Sequence, residues 1–191
     1  MKTIKQTDNR FLNMYETDFT DRDGREGKYF FASRARDEHS LKCNCGEGVD
    51  GVDIVAVYEG KLVLIKQYRV PVDREIYECP AGLVDAGEDA RTAAVREFHE
   101  ETGLTLSPID TPEGWERGFY TSVGMSDEAC ATVYGHAHGR ISDEFLEAAE
   151  RITVVLADRE EAARILREEP LSMRCALALM QFVGGGLAQL L

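Results

Sequence analysis

Three glutamates in one short segment carry the clearest chemical potential of this 191-residue chain. Glu97, Glu100 and Glu101 lie close together, and Arg96 directly precedes them. Like charges at this spacing destabilise a helix by about 0.2–0.5 kcal/mol per pair. They also lie near the helix C-terminus, where the dipole disfavours anions. A divalent metal ion among the carboxylates would offset the repulsion, and a phosphate is a common partner of such an ion.

The segment that carries these glutamates predicts a helix. Residues 89–102 contain neither Gly nor Pro and are rich in Ala, Glu and Arg, and Gly103 follows as a left-handed cap. At about 100° per residue, the glutamates fall in one wedge. The neighbouring face is predicted to point toward the core and consists of Ala94, Val95, Phe98 and Thr102.

Small and basic residues complete the predicted acidic wedge. Ala90 and Ala93 share it, and their short side chains leave room for a ligand. Arg96 is four residues before Glu100 and is expected to orient or neutralise the carboxylates. His99 lies on neither the core face nor the acidic wedge, so we interpret it as a surface residue. Glu97 and Glu101 are the first candidates for metal ligands, followed by Glu100.

Composition narrows the class of protein. A net charge of −13 argues against a nucleic-acid surface, although a bound metal could still bring a nucleotide to an acidic site. The most apolar stretch, Cys175 to Val183, is too short to span a bilayer. Five cysteines, an odd number, are typical of free thiols in the cytoplasm. Cys43 and Cys45 form the only close pair, and their role stays open.

The rest of the chain alternates strands with a few helices. A hairpin is predicted around Asp23-Gly24, and the mixture of elements predicts a sheet covered on both faces. A polar connection over residues 37–50 follows the hairpin, and Ser172 is predicted to cap a final helix. The predicted strands are 14–19, 28–33, 52–58, 62–67, 76–79, 118–121, 129–134 and 152–157, and a further helix is predicted over 159–168.

With these elements in place, residues 82–104 resemble the Nudix box. Gly82, Glu88 and the run from Arg96 to Leu104 match every defining position of that long motif. The resemblance implies an α+β fold, an α/β/α sandwich with a mixed sheet between helices. It also implies a small N-terminal antiparallel sheet, over residues 1–45, that forms a homodimer, followed by a Nudix hydrolase domain over residues 46–191.

Within the Nudix family, the chain looks like the ADP-ribose pyrophosphatase branch. The segments 66–69 and 76–82 resemble the substrate-lining strand and the lead-in loop of that branch. The resemblance implies Mg²⁺- or Mn²⁺-dependent cleavage of ADP-ribose into AMP and ribose 5-phosphate. The branch often has a proline after the box where this chain has Val123. Other nucleotide sugars therefore remain alternatives, as do oxidised nucleotides and a sensor that binds a nucleotide without turnover.

The resemblance also assigns roles outside the glutamate cluster. It implies that the Ala81 carbonyl touches the metal and that Gly82 lets the backbone turn tightly beside it. It places the general base on an acidic loop after the box, where Glu147 and Glu150 are the candidates. Arginine suits bidentate phosphate contacts. We therefore predict phosphate binding by Arg69 and Arg34. Four aromatic residues are candidates for stacking on adenine: Tyr68, Trp115, Phe119 and Tyr120.

Overall fold

The computed structural model describes residues 2–45, 48–146 and 151–187. The chain divides into two compact units, Met1–Asp50 with Gly118–Cys130, and Gly51–Arg117 with Ala131–Leu191. In chain order the elements are β1 (Thr3–Lys5), β2 (Asn13–Thr20), β3 (Glu26–Ser33), α1 (Lys42–Cys45), β4 (Gly51–Tyr58), β5 (Lys61–Arg69), β6 (Arg74–Glu78), β7 (Ala81–Leu83), α2 (Ala90–Thr102), β8 (Leu104–Pro108), β9 (Phe119–Tyr120), β10 (Ala129–Gly139), β11 (Ile152–Ala157), α3 (Arg159–Glu168) and α4 (Met173–Val183).

The N-terminal unit contains an antiparallel sheet in the order β1-β2-β3. The predicted hairpin is confirmed, because β2 and β3 pair from Asn13↔Ser33 to Thr20↔Glu26. Its turn is held by Asp21, whose side chain accepts hydrogen bonds from the backbone N–H groups of Asp23 and Arg25. Gly24 adopts a φ of 83°, which suits glycine at a tight turn.

The face of this sheet that carries Tyr15 is packed around that residue, but it is open toward the hairpin turn, where Phe19 is 38% and Tyr29 45% exposed. Tyr15 is fully buried and stacks on Phe31 with ring centroids 5.8 Å apart. The opposite face carries Ile4, Met14 and Phe30, which are 38%, 40% and 53% exposed. Side chains alternate between faces along a strand, so one strand pair serves both a packed face and an apolar outer face.

The second unit is built on a sheet whose main path runs β11-β5-β4-β10-β8. Two short strands join this path from the side, since β6 pairs with β5 and β7 pairs with β4. The registers Ile65↔Glu78 and Asp53↔Ala81 fix their positions. The chain therefore leaves its pairing with β5 after Glu78 and begins its pairing with β4 at Ala81, the residue predicted to contact the metal.

Helices cover this sheet as the sequence predicts. Leu62 and Leu64 of β5 belong to a core cluster with residues of α3 and α4. The intervening Val63 and Ile65 are also buried, and alternation directs them to the other face of the sheet. Helix α2 contacts β4, β7 and β8. Among the described residues, no helix is both long enough and apolar enough to cross a bilayer.

Helix α2 has the predicted ends but a different buried face. Asp89 is the N-cap and Gly103, with a φ of 72°, is the C-cap. Val95 was expected in the core but is 36% exposed, whereas Ala93, expected beside a ligand, is fully buried. The buried face is rotated from the predicted one because the helix packs against the strands with its Ala93 side. It also includes Glu101, which is 4% exposed.

Other elements differ from prediction in bounds. The Ala81–Leu83 segment, predicted as a loop, forms β7, and Leu104–Pro108 forms the unpredicted strand β8. Strand β10 runs on to Gly139 because its buried positions continue to alternate beyond residue 134. The polar connection contains the short helix α1. Strand β11 and helices α3 and α4 are confirmed, and Ser172 caps α4.

Candidate functional site

Arg96 lies at the centre of the acidic cluster on α2. Its Nη1 group donates to Glu97 Oε1 at 2.8 Å and to Glu100 Oε2 at 3.1 Å. Its Nε and Nη2 groups donate to the two carboxylate oxygens of Glu88 at 3.1 and 2.9 Å. Nη2 also donates to the Leu83 carbonyl at 3.0 Å. One guanidinium thus offsets the mutual repulsion of three carboxylates and ties them to the preceding loop.

Glu88 joins that loop to the helix. Its Oε2 atom accepts a hydrogen bond from the Asp85 backbone N–H at 3.1 Å, in addition to its contacts with Arg96. These bonds, with Arg96 first, hold the pKa of Glu88 below its usual range. The same contacts raise the pKa of Arg96, so both groups stay charged at neutral pH. The turn over residues 85–88 is therefore fixed electrostatically to α2.

Glu101 has a separate role from the other helix carboxylates. Its Oε2 atom accepts a hydrogen bond from the Ala81 backbone N–H at 3.0 Å. The side chain is almost fully buried, and a buried carboxylate must be hydrogen-bonded or paired to be stable. Glu101 therefore fixes strand β7 to α2. It also lies beside Ala81, whose carbonyl is predicted to contact the metal.

Gly82 allows the close approach of β7 and α2. A Cβ atom at this position would lie 1.9 Å from Glu97 Cδ, a distance that no side chain tolerates. Gly82 is paired with Val52 in the register of β4 and β7, so the backbone has little freedom to move away. Glycine is required here for space, and its φ is not in the left-handed region. The Glu97 carboxylate occupies the space that a side chain at position 82 would fill.

The residues around β7 match a magnesium site in donor chemistry. Glu97, Glu100, Glu101 and the Ala81 carbonyl supply only oxygen atoms, which Mg²⁺ prefers. Within residues 2–45, 48–146 and 151–187, however, no group of three His, Cys, Asp or Glu side chains is arranged to hold a metal ion. Glu97 and Glu100 are turned toward Arg96 instead. Metal binding would require these two glutamates to exchange part of their contact with Arg96.

Arg69, the last residue of β5, forms an ion pair with a buried carboxylate, that of Glu78. Its Nε and Nη2 groups donate to the two Glu78 oxygens at 2.5 and 3.1 Å. The Glu78 side chain is 8% exposed and that of Arg69 is 44% exposed. Tyr68 donates its hydroxyl to Asp73 Oδ1 at 2.5 Å, and this bond raises the pKa of Tyr68. Arg69 is therefore fixed by Glu78 and still accessible to solvent. Tyr68 is hydrogen-bonded to Asp73, in the segment that follows β5.

Arg34 belongs to the N-terminal unit. Its Nε group donates to Glu128 Oε1 at 3.0 Å, an ion pair that no sequence pattern indicated. The same unit contains a cleft of about 580 Å³, within the usual size range of ligand sites. Tyr120, one of the predicted stacking residues, lines this cleft. Its other lining residues include Tyr29, Phe31, His39, Lys42 and Cys43.

The predicted general bases, Glu147 and Glu150, lie outside the described residues. Upstream of them, His99 is half-buried: its Nδ1 atom is 3.2 Å from the Leu104 carbonyl oxygen, and its ring lies 4.5 Å from that of Phe145. His99 therefore packs on the segment that leads to the acidic loop. The interpretation of His99 as a plain surface residue missed this contact.

Sequence reasoning also missed a latch between α2 and the loop over residues 109–117. Arg91 donates to both Glu116 oxygens at 2.7 and 2.9 Å and to the Ile109 carbonyl at 2.9 Å. It also donates to Asp110 Oδ1 at 3.2 Å. The loop carries Trp115, which is 47% exposed. Arg91 is 18 to 25 residues from these partners in sequence, so no local sequence pattern predicts these contacts.

Comparison with known proteins places this geometry in a family. A family model for the NUDIX domain matches residues 47–170. The chain belongs to the NUDIX family. The solved structure of an ADP compounds hydrolase superposes with a TM-score of 0.72 at 16% identity, covering 100% of this chain and 94% of that chain. This confirms the predicted fold, a mixed sheet with helices and a small antiparallel sheet.

Several curated proteins are similar in sequence to this NUDIX chain. An ADP-ribose pyrophosphatase of Bacillus subtilis is 43% identical over 70 residues, or 37% of this chain and 36% of that protein. One of Saccharomyces cerevisiae is 36% identical over 109 residues, 53% and 44% of the two chains. A methanol dehydrogenase activator of Bacillus methanolicus is 36% identical over 107 residues, 52% and 56%. The chain thus spans about half the length, or less, of these relatives.

Proposed function

We propose that this NUDIX protein is a pyrophosphohydrolase that cleaves the diphosphate bond of a nucleoside diphosphate sugar, with ADP-ribose preferred. Water adds to one phosphorus, the bridging P–O bond breaks, and the products are AMP and ribose 5-phosphate. The observation that carries the proposal is the attachment of β7 to α2 through Glu101 and Gly82. The similarity to two ADP-ribose pyrophosphatases supports the substrate class.

The carboxylates of α2 would hold Mg²⁺ or Mn²⁺, together with the Ala81 carbonyl. When bound, such an ion neutralises phosphate oxygens and lowers the pKa of a coordinated water. Glu101 is already fixed by the Ala81 N–H, so it supplies a pre-positioned ligand. Arg96 holds Glu97 and Glu100 close by until they bind the ion, and so acts by orienting them.

The remaining roles in the proposal concern substrate and proton transfer. Arg69 is placed to donate to a phosphate because Glu78 fixes one edge of its guanidinium. We assign Arg34 and Tyr68 to the substrate as well, and Glu147 or Glu150 to removal of the proton from water. Glu100 is a further candidate for that proton transfer because it is the most exposed of the three glutamates that Arg96 contacts.

The test of this proposal is the variant Glu101→Gln. Glutamine keeps an oxygen that accepts from the Ala81 N–H, but it removes the charge that a metal needs. We expect the protein to fold and kcat for ADP-ribose to fall by about 100-fold or more. Glu113→Gln, at an exposed loop position, is the matched control and should keep full activity. Unchanged turnover in Glu101→Gln would falsify the metal role.

A substrate panel separates the alternatives. Wild-type protein is incubated with Mg²⁺ or Mn²⁺ and with ADP-ribose, other nucleotide sugars and oxidised nucleoside triphosphates, and the phosphate-ester products are quantified. Preference for another nucleotide sugar would correct the substrate, and preference for an oxidised triphosphate would correct the reaction. Tight calorimetric binding of ADP-ribose without any product over hours would identify a sensor instead.

We also propose that the N-terminal sheet forms a homodimer interface and that the protein works in the cytoplasm. The outer face of β1, β2 and β3 exposes three apolar side chains, and adjacent apolar exposure is typical of interaction surfaces. Cys43, Cys79 and Cys175 are free thiols, and Cys79 and Cys175 are buried in the core, as expected in a reducing compartment.

A further inference from the structure

The N-terminus of α4 is tied to the end of β6. The Tyr77 backbone N–H donates to the Pro170 carbonyl at 2.9 Å, and the Ser172 N–H donates to the Tyr77 carbonyl at 3.1 Å. Ser172 then caps α4 by accepting from the Cys175 N–H. Arg174, in the first turn of the helix, is thereby fixed beside the strand that leads into β7.

Arg174 is anchored by a buried carboxylate of β4. Its Nε group lies 3.0 Å from Asp53 Oδ1, and the Asp53 side chain is 7% exposed. Asp53 is the register partner of Ala81, so the anchor lies opposite the residue whose N–H binds Glu101. The Arg174 side chain itself is 40% exposed. A guanidinium has five N–H donors, and the contact with Asp53 holds the Nε edge of this one by the strand that pairs with β7.

The pair repeats the construction of Arg69 and Glu78. In both pairs the carboxylate side chain is under a tenth exposed and the arginine side chain is about two-fifths exposed. The two anchoring carboxylates lie by the same short segment, since Glu78 ends β6 and Asp53 pairs with Ala81, three residues further along the chain. Each guanidinium is therefore held by its own buried carboxylate beside the segment that leads into β7.

We propose that Arg174 is a second diphosphate-binding residue, acting with Arg69 on the substrate. The proposal rests on the function proposed above for the same site. The ion pairs with Glu78 and Asp53 fix one edge of each guanidinium, so that Arg69 of β5 and Arg174 of α4 approach a diphosphate from two different elements. A diphosphate has oxygens on two phosphorus atoms and can accept from both arginines at once.

The alternative is a purely structural ion pair, and a set of variants separates the two. Arg174→Gln removes the guanidinium but leaves Asp53 buried without its charge partner, which can destabilise the fold. The double variant Asp53→Asn with Arg174→Gln removes both charges and restores a neutral pair. Asp53→Asn alone keeps the guanidinium. Arg167→Gln, on the exposed side of α3, is the control. Thermal unfolding by circular dichroism establishes which variants are folded.

The readouts are ADP-ribose kinetics and calorimetric binding of methylenediphosphonate with Mg²⁺. We expect the folded double variant to bind the diphosphonate at least 10-fold more weakly than wild type and to show a raised KM. Arg167→Gln should stay within about 3-fold, whereas Asp53→Asn, which keeps the guanidinium without its charged anchor, should weaken binding less than the double variant does. Wild-type affinity in the double variant would overturn the proposal, since a structural pair is restored by neutralising both partners.

The diphosphonate probe distinguishes this proposal from the proposed function. If wild type does not hydrolyse ADP-ribose but binds methylenediphosphonate in an Arg174-dependent manner, the substrate assignment fails and the diphosphate role of Arg174 stands. If ADP-ribose is hydrolysed with an unchanged KM in the double variant, the function stands and the role of Arg174 is wrong.

Discussion

At the residue scale, the site depends on close contacts around one glycine and one arginine. Gly82 permits Glu97 to occupy space that any side chain would fill, and Arg96 holds carboxylates that would otherwise repel one another. Both residues were singled out from sequence for related reasons. Only the structure shows that Gly82 serves by its small size and that Arg96 reaches back to the carbonyl of Leu83.

Gly82→Ala should therefore be much more disruptive than an ordinary glycine replacement. The added Cβ would collide with Glu97, so we expect unfolding stability to fall by about 1–3 kcal/mol and activity to fall more than 10-fold. Gly124→Ala is the matched control, because a Cβ there has no neighbour within 4 Å. Chemical denaturation and ADP-ribose kinetics on both variants provide the check. Equal behaviour of the two variants would contradict the steric argument.

At the element scale, the ends of α2 were predicted to within one residue, because they are set by local chemistry. Asp89 accepts a hydrogen bond from the Thr92 N–H at 2.8 Å, and Gly103 supplies the left-handed cap. The orientation of the helix was predicted less well. At about 100° per residue, Glu101 is about 20° from Ala94 and lies on the buried face, where the Ala81 N–H of another strand satisfies it.

The N-cap predicts a specific dependence on pH. Hydrogen bonds from Thr92 hold the pKa of Asp89 below its usual range. A carboxylate with a lowered pKa in the folded state stabilises the protein above the unfolded value, about 3.9. This contribution is lost as the pH falls through the lower folded value.

The variant Asp89→Asn isolates this effect, since asparagine is also a good cap but does not titrate. We expect the melting temperature of wild type to exceed that of Asp89→Asn at pH 7 and the difference to shrink below pH 4. Asp89→Ala should melt lower than both at pH 7. Thermal unfolding across this pH range makes the comparison, and a difference that grows on acidification would contradict the assignment.

At the scale of the whole molecule, the second unit carries α2 and the N-terminal unit carries an exposed apolar face. We expect wild type to be a dimer in solution and Phe30→Lys to be a monomer, because a charge on this face would be desolvated in an interface. Light scattering after size exclusion measures the mass. Leu177→Lys, at an exposed apolar position on α4, should leave the dimer intact. A monomeric wild type would remove the basis for this interface.

The sequence by itself determined the features that depend on neighbours along the chain. The caps of α2, the turn at Gly24 and the spacing of Glu97, Glu100 and Glu101 all follow from local backbone and helical geometry. The resemblance of residues 82–104 to the Nudix box then predicted the family and the class of fold. Local features were insufficient for β7 and β8, whose short segments become strands only by pairing with β4 and β10.

The tertiary structure alone decided which side chains meet. Arg174 and Asp53 are far apart in sequence and form an ion pair because α4 begins beside β6. Arg91 and Glu116 meet because a loop folds back onto α2. Contacts of this kind depend on the pairing of strands and the packing of helices, which no single segment encodes. The sequence thus identifies the residue types that can do the chemistry, and the fold determines which charged groups surround those residues.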